Sequence, residues 1–271
     1  MKLEVLVATM NQSDCQLAEK MNMCGAGKEY GVILANQANR NEIVQEELHG
    51  TPVKMISTTT KGVGLNRNIA LLASTAEVVL FADDDVTYYD GFQEQVCEEF
   101  KKNSKADVII FSLHVTKNGQ IIRTVNGKRK RLYLWNALKF GTCVIAVRKN
   151  SLLKNRICFS QLFGGGCMYS SGEDSLFIGD CLKSGLRIYA CDFVLGKCAK
   201  DTSTWFSGYH NKFFYDKGVL IACMFPRMKG IMKWYFALRF LKLSELSFKE
   251  IMNQINAGMK GYKNLNVYSG K

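Results

Sequence analysis

The sequence predicts an α/β protein built around a doubly wound sheet, and three observations carry that prediction. Short apolar, β-rich runs recur through the first half, each followed by a helical pattern. Polar residues gather where these runs end, as they do at the carboxyl edge of a parallel sheet. The composition, 47% hydrophobic and 22% charged over 271 residues, suits a chain with a real core and excludes disorder. Two prolines and no internal period exclude a proline-rich linker, a solenoid and a propeller.

Leu3 to Thr9 reads as a strand buried on both faces. Asn11 to Asp14 then offer a turn and an N-cap for a helix over Leu17 to Met23. A second strand, Tyr30 to Ala35, ends in Asn36 and Gln37, and Asn41 to His49 reads as the next helix. Val53 to Ser57 gives a third strand. Gly64 to Ser74 gives a third helix with Leu65, Ile69, Leu72 and Ala73 on one face, and Glu77 to Ala82 a fourth strand. Repeated βαβ units imply parallel strands with helices on both sides.

After FADDDVTYYDG come a helix at Phe92 to Lys102 and a strand at Asp107 to Val115. The pattern then loosens. Gln120 to Val125 reads as a hairpin arm behind Asn118 and Gly119, Gly141 to Val147 as a strand, and Glu173 to Ser184 as a helix closed by Gly185. No flexible linker separates the halves, so one continuous sheet is expected to run through both. The divisions expected are 1–116, 117–225 and a basic helical extension over 226–271.

The net charge is +12, unevenly spread. Residues 1–116 carry 10 basic and 16 acidic side chains, residues 117–271 carry 26 and 8, so the halves stand at −6 and +18. Such asymmetry points one half toward an anionic partner: nucleic acid, a phosphorylated ligand or an acidic lipid surface. The ten cysteines contain no CxxC pair, which argues against a zinc cluster and for a reduced, cytoplasmic protein. The N-terminus does not read as a signal peptide. No apolar stretch approaches the ~20 residues that span a bilayer.

Two segments carry chemistry. Asp83, Asp84 and Asp85 follow an apolar strand at the edge where open α/β sheets bind ligands. Three adjacent carboxylates need solvation or a cation, and their hard oxygens suit Mg²⁺ or Mn²⁺ bridging to substrate phosphates. In FGGGCMYSSGEDSLF, residues 163–177, glycines run into a helix that starts at Glu173 and Asp174. Helix capping accounts for the carboxylates alone. The three glycines add close backbone approach by a ligand, beside which a carboxylate could take a proton from a hydroxyl.

An aspartate cluster ending the fourth strand, preceded by GVGLNRNIALLASTAEVVLFA and followed some 90 residues later by GED, resembles the inverting nucleotide-sugar glycosyltransferases of the GT-A fold, family 2. The resemblance covers residues 1–225. It implies a Rossmann-like nucleotide-binding half fused to a mixed acceptor-binding half, and an enzyme of the metal-dependent hexosyltransferase class. On it, Asp83 and Asp85 form the DxD motif, Asp85 as the principal metal ligand and Asp83, with Asp84, on the donor side. Asp174 is the catalytic base, with Glu173 beside it on the acceptor side together with Gly165 and Gly166. Thr9, Asn11, Asn36 and Gln37 hold the nucleotide base. Many members carry aspartate where this chain has Asn36; an amide both donates and accepts, so uracil still fits. Arg67 matches an arginine the family often has, placed to pair with the acidic cluster or the diphosphate.

In DTSTWFSGYHNKFFYDKG, Trp205 suits stacking on an acceptor sugar, and His210 matches a late histidine that some GT-A enzymes use as a metal ligand. From Lys217 to Lys242 six basic residues and no acidic one interleave with apolar runs. On a single helical wheel they scatter, so the amphipathic signal is poor. Both contact with an anionic membrane and plain packing on the domain remain open. Lys128 to Arg131 reads as a solvated loop.

These readings converge on a Mn²⁺- or Mg²⁺-dependent inverting transferase. It takes a nucleoside diphosphate sugar, UDP favoured, and a saccharide or lipid-linked saccharide acceptor, in surface polysaccharide or glycoconjugate assembly at the cytoplasmic face of a membrane. Two rivals are a nucleotidyltransferase, which needs no distant GED base, and a nucleic-acid-binding protein. The basic residues form no recognition motif, so no nucleic-acid partner is expected.

Overall fold

The computed structural model describes residues 1–25, 27, 29–126, 128–137, 139–199 and 208–268, leaving aside the side chains of 135 and 263–268. The chain divides into two compact units. One comprises Met1–Gln161 with Glu173–Ser203, the other Leu162–Gly172 with Thr204–Lys271.

The first unit is a mixed sheet flanked by helices. Its strands are β1 (Leu3–Met10), β2 (Tyr30–Gln37), β3 (Glu42–Leu48), β4 (Thr51–Thr58), β5 (Val78–Asp83), β6 (Val86–Tyr88), β7 (Val108–Lys117), β8 (Gln120–Val125), β9 (Lys130–Leu132), β10 (Ile145–Arg148) and β11 (Ile188–Ala199). Its helices are α1 (Leu17–Lys20), α2 (Val63–Ala73), α3 (Phe92–Lys102), α4 (Leu134–Ala137), α5 (Lys149–Lys154) and α6 (Glu173–Lys183). The strand order is β3-β4-β2-β1-β5-β10-β7-β11-β6, with β8 on β7 and β9 on β11. One continuous sheet therefore runs through both halves, as the sequence predicts.

Strands β4, β2, β1 and β5 are parallel. β1 lies between β2 and β5, so the winding reverses there and opens a crevice at the carboxyl ends of β1 and β5. The apolar runs fill the middle of the sheet because both faces are covered: Val5, Leu6, Val7, Val32, Leu34, Val79, Leu80 and Phe81 are buried. Polar residues begin where cover ends. Thr9 stands opposite Asn36, Asn36 opposite Ser57, and Ala8 opposite Asp83.

The structure differs from expectation at six places. Asn41–His49 is not a helix but mostly β3, an edge strand antiparallel to β4. Glutamates and a glutamine give NEIVQEEL a helical look, yet His49 and Gly50, at φ 49° and 79°, make a two-residue turn that pairs Leu48 with Thr51. Glu42, Glu46 and Glu47 then guard an exposed sheet edge. Thr142–Val144 form a single 3₁₀ turn, and only Ile145–Arg148 continue as a strand. Lys130–Leu132 are strand β9 instead of loop, with Arg129 paired to Glu99 at 2.5 Å and Asp192 at 3.0 Å.

The inner face of α2 is the fourth difference. Leu72 is exposed, and the buried residues include Asn66, Arg67, Asn68, Ala70 and Leu71. The two asparagines can face the sheet here because each finds backbone partners: Asn66 Nδ2 donates to the carbonyls of Thr9 and Ala35, and Asn68 exchanges two hydrogen bonds with the backbone of Phe159.

Fifth, the units do not follow the expected divisions at 116/117 and 225/226. β11 pairs in parallel with β7, and 117–161 with 173–199 belong to the first unit. The expected extension shares its core with α7 (Asn211–Met224): Phe213, Phe214 and Ile221 pack with Ala237 of α8 (Lys229–Phe240) and with Ile251 and Ile255 of α9 (Phe248–Tyr268). Gly218 and Gly258 let α7 and α9 touch backbone to backbone. Sixth, Pro226 lies in the turn between α7 and α8, so a single wheel over 217–242 mixes two helices.

Gly64 gives the fold its tightest contact near the ligand edge: a Cβ there would overlap the carbonyl oxygen of Ser160. Gly64→Ala is expected to cost about 1–3 kcal/mol of stability. A urea titration would show a lower midpoint at unchanged slope.

Candidate active site

Three carboxylate groups from distant parts of the chain meet around Arg67. The Arg67 side chain is 4% exposed; its Nη2 lies 2.7 Å from Asp83 Oδ1, and its Nη1 lies 3.4 Å from both Glu173 Oε1 and Asp174 Oδ1. The guanidinium also sits 5.3 Å above the ring of Phe159. Burial alone would favour its neutral form, but the three carboxylates outweigh that and hold it charged more firmly than a free arginine.

Helix α6 delivers the second pair of carboxylates because it is anchored from below. Phe177 is buried and stacks on Phe159 with ring centroids 4.1 Å apart, while Phe81 of β5 meets both rings edge-on. Glu173 and Asp174 lie four and three residues before Phe177, on the same helix face, so the aromatic anchor turns them toward Arg67.

Asp174 is the most perturbed carboxyl of the group. Burial and the Glu173 carboxylate push it up to about 7, against the pull of Arg67 and of the Thr142 hydroxyl that donates to Oδ1. Both interactions fall on Oδ1. Oδ2 is then the oxygen available to take a proton.

At the neighbouring strand ends the polar residues lock to one another. Thr9 Oγ1 donates to Asp84 Oδ2 at 2.6 Å and accepts from Gln12 Nε2 at 3.1 Å. Asn36 is fully buried: its Oδ1 accepts from the Gln12 amide, and its Nδ2 donates to the Gln12 carbonyl and to Ser57 Oγ. Gln37 Oε1 accepts from the Gly62 amide, and Arg40 reaches the carbonyls of Gln12 and Ser13.

Residues 25–158 match the family model described as glycosyl transferase family 2, a span that includes Asn36, Gln37, Arg67, Asp83–Asp85 and Thr142. They form a glycosyl transferase family 2 domain. No curated protein matches the chain closely enough to add to this. Among solved structures, S. aureus TarS residues 1–349 in complex with UDP-GlcNAc is similar at a TM-score of 0.66 and 18% identity, over 94% of this chain and 79% of that one. The complex of the same TarS fragment with UDP gives 0.63 and 18%, over 89% and 72%. At such identity the likeness is one of fold, and the fold is GT-A.

The structure brings together Thr9 with Asp84, and Arg67 with Asp83, Glu173 and Asp174. Asn36, read from the sequence as a base-binding group, has its polar atoms engaged by Gln12 and Ser57, so it shapes the loop after β1. Asn11, at φ 56°, is an exposed residue of that loop. Asp84 and Asp85 form the exposed turn between β5 and β6.

Gly165 and Gly166 belong to the second unit. Their loop is closed by bonds from the Gly164 amide to the Tyr169 carbonyl and from the Tyr169 amide to the Leu162 carbonyl. Left-handed φ values of 107° and 77° at Gly164 and Gly166 account for two of the three glycines by turn geometry. His210 is an exposed N-cap residue of α7 in the same unit, and Trp205 lies outside the described residues. Sequence reasoning missed Thr142, Gln12 and Asn66. Only Asn66 left a signal, a polar residue inside a helix that must face a sheet.

Among the described residues no group of three or more His, Cys, Asp and Glu side chains forms a ready-made metal site. The donor set at the strand end nevertheless fits a cation that arrives with phosphate. Asp83, Glu173 and Asp174 surround the guanidinium of Arg67, Asp84 and Asp85 follow Asp83 in the exposed turn, and Mg²⁺ or Mn²⁺ commonly keeps one or two carboxylates with substrate phosphates.

Thr142→Val removes a hydrogen bond that favours the charged form of Asp174. The carboxyl is expected to titrate at a still higher pH, so the acidic limb of the pH–rate profile should move in the alkaline direction while the plateau rate is kept.

Proposed function

We propose that the chain transfers a sugar from a nucleoside diphosphate sugar to a saccharide hydroxyl with inversion at the anomeric carbon. The observation that carries this is Asp174, a partly buried carboxyl lifted to about 7, held through Oδ1 and aligned with the acidic strand end by Arg67. A group that must accept one proton per turnover near neutral pH works best with such a value.

In the step, the acceptor oxygen attacks the anomeric carbon, its proton passes to Asp174 Oδ2, and the bond from that carbon to the diphosphate oxygen breaks. Asp85 and Asp83 would hold a divalent cation, which would supply neutralising charge for the departing diphosphate. Arg67 fixes Asp83 and the start of α6 to one point. UDP is the favoured carrier because the similar TarS structures hold UDP-GlcNAc and UDP. Glu173, Gly165, Gly166 and Trp205 are proposed for the acceptor side, His210 as a further metal ligand, and surface polysaccharide or a lipid-linked saccharide as the setting.

Asp174→Asn keeps the size of the side chain and removes its basic oxygen. Turnover is expected to fall by roughly 10²-fold or more while donor affinity holds. In the wild type kcat/KM should rise about tenfold per pH unit below about 7 and level off above it, since the base must be ionised. A fully active Asp174→Asn enzyme overturns the mechanism.

Calorimetry with UDP tests the acidic turn. With Mn²⁺ present, Asp85→Ala is expected to bind the diphosphate at least about tenfold more weakly, the scale of one lost metal ligand. Equal binding refutes the metal assignment.

A further inference from the structure

Helix α8 shows apolar residues on both of its sides. Inward, Ala237 is fully buried, and Met232, Phe236 and Phe240 pack against the core formed with α7 and α9. Outward, Ile231, Trp234, Tyr235 and Leu238 remain 67, 51, 49 and 61% exposed. At 100° per residue these four fall within an arc of about 100°, a continuous stripe. Met228 just before the helix and Leu243 just after it are 50 and 57% exposed and lengthen it. An outward stripe with both large aliphatic and aromatic side chains needs an explanation that a lone exposed leucine does not.

Along the chain the charges within and beside α8 are of one sign, up to Glu245. Arg227, Lys229, Arg239 and Lys242 are exposed, and no acidic residue occurs between Asp216 and Glu245. Arg239 lies over the rings of Tyr235 and Phe240 and donates to the Tyr235 hydroxyl at 3.0 Å, so a cation is held at the border of the apolar strip. A Trp and a Tyr with polar tips, aliphatic neighbours and flanking cations are what the interface of an anionic bilayer selects. A neutral protein partner would explain the apolar stripe and leave the uniform charge unexplained.

The geometry also limits the mode of contact. Twelve residues make a helix of about 18 Å, shorter than the hydrocarbon core. Among the described residues no helix is long and apolar enough to cross a membrane.

We propose that the outer face of α8 docks on an anionic lipid surface, lying in the plane of the headgroups with Ile231, Trp234, Tyr235 and Leu238 immersed and Arg227, Lys229, Arg239 and Lys242 among the phosphates. This deepens the proposed function by giving the enzyme an attachment to the surface that carries a lipid-linked acceptor. It rests on that reading only for the choice of acceptor.

The test uses the full chain and vesicle flotation, which needs no substrate and is independent of the glycosyl-transfer assignment. Vesicles of phosphatidylcholine are compared with vesicles containing about a quarter phosphatidylglycerol, at low and high salt. The wild type is expected to float with the anionic vesicles only, less so at high salt, and Trp234 emission should shift to the blue, a change absent from Trp234→Phe. Ile231→Ser/Leu238→Ser and, separately, Arg239→Gln/Lys242→Gln should each weaken binding at least about 10-fold. Circular dichroism and UDP affinity in both variants are expected to match the wild type. A wild type that ignores anionic vesicles overturns the proposal, as do variants that bind like it. Self-association abolished by Ile231→Ser/Leu238→Ser, without vesicle binding, assigns the stripe to a second copy and equally overturns it.

Discussion

The buried guanidinium of Arg67 is the interaction on which the ligand edge depends. A cation that is 4% exposed cannot rely on water, so its surroundings must supply opposite charge. Here the supply comes from residues 16, 106 and 107 positions later in the chain. The end of β5, the inner face of α2 and the first turn of α6 are thereby fixed to one group. Removing one partner of such a cluster typically costs about 3–5 kcal/mol, because the charges left behind remain buried. Below the guanidinium, Phe159 offers its ring face, and Asn68 clamps the backbone of the same residue. The Nε atom finds no hydrogen-bond partner, a loss accepted where the side chain crosses this aromatic layer.

Much of this edge is legible in the sequence, for a physical reason. Parallel strands covered on both faces must be apolar until they emerge, so the first polar residues after Leu3–Ala8, Tyr30–Ala35 and Val78–Ala82 mark the emergence points. Asp83 to Asp85 and Glu173 with Asp174 are legible as carboxylates placed where a ligand would be. What the sequence does not reveal is the pairing. Arg67 can be assigned to phosphate or to carboxylate equally well until burial excludes solvent. Thr142 has no pattern at all: its role follows from a 3₁₀ turn that brings a hydroxyl to Asp174, and nothing in GTCVIAV encodes that meeting.

Two misreadings share another cause. Residue preference reads NEIVQEEL as a helix, whereas a turn at His49 and Gly50 with both residues left-handed determines the pairing. In α2 apolar preference points Leu65, Ile69 and Leu72 inward, whereas Asn66, through its Nδ2, and Asn68 hold that side by bonds to the backbone. Local preference is a weak term of a few tenths of a kcal/mol per residue. Each hydrogen bond of a buried amide is worth about 1 kcal/mol, and a missing one costs more. The tertiary partners decide.

The same balance separates the carboxylates by role. Arg67 binds its proton more firmly in this setting, so the labile proton of the cluster does not reside there. Glu173 and Asp174 are adjacent, and two carboxylates beside one guanidinium cannot both be fully compensated. The strain falls on Asp174, where burial adds to the repulsion from Glu173. Thr142 and Arg67 pull the other way, and without them the carboxyl would rise further still. Asp85 stands in the exposed turn between β5 and β6. One arginine thus gathers carboxylates from two distant parts of the chain and leaves the labile proton of the cluster on Asp174.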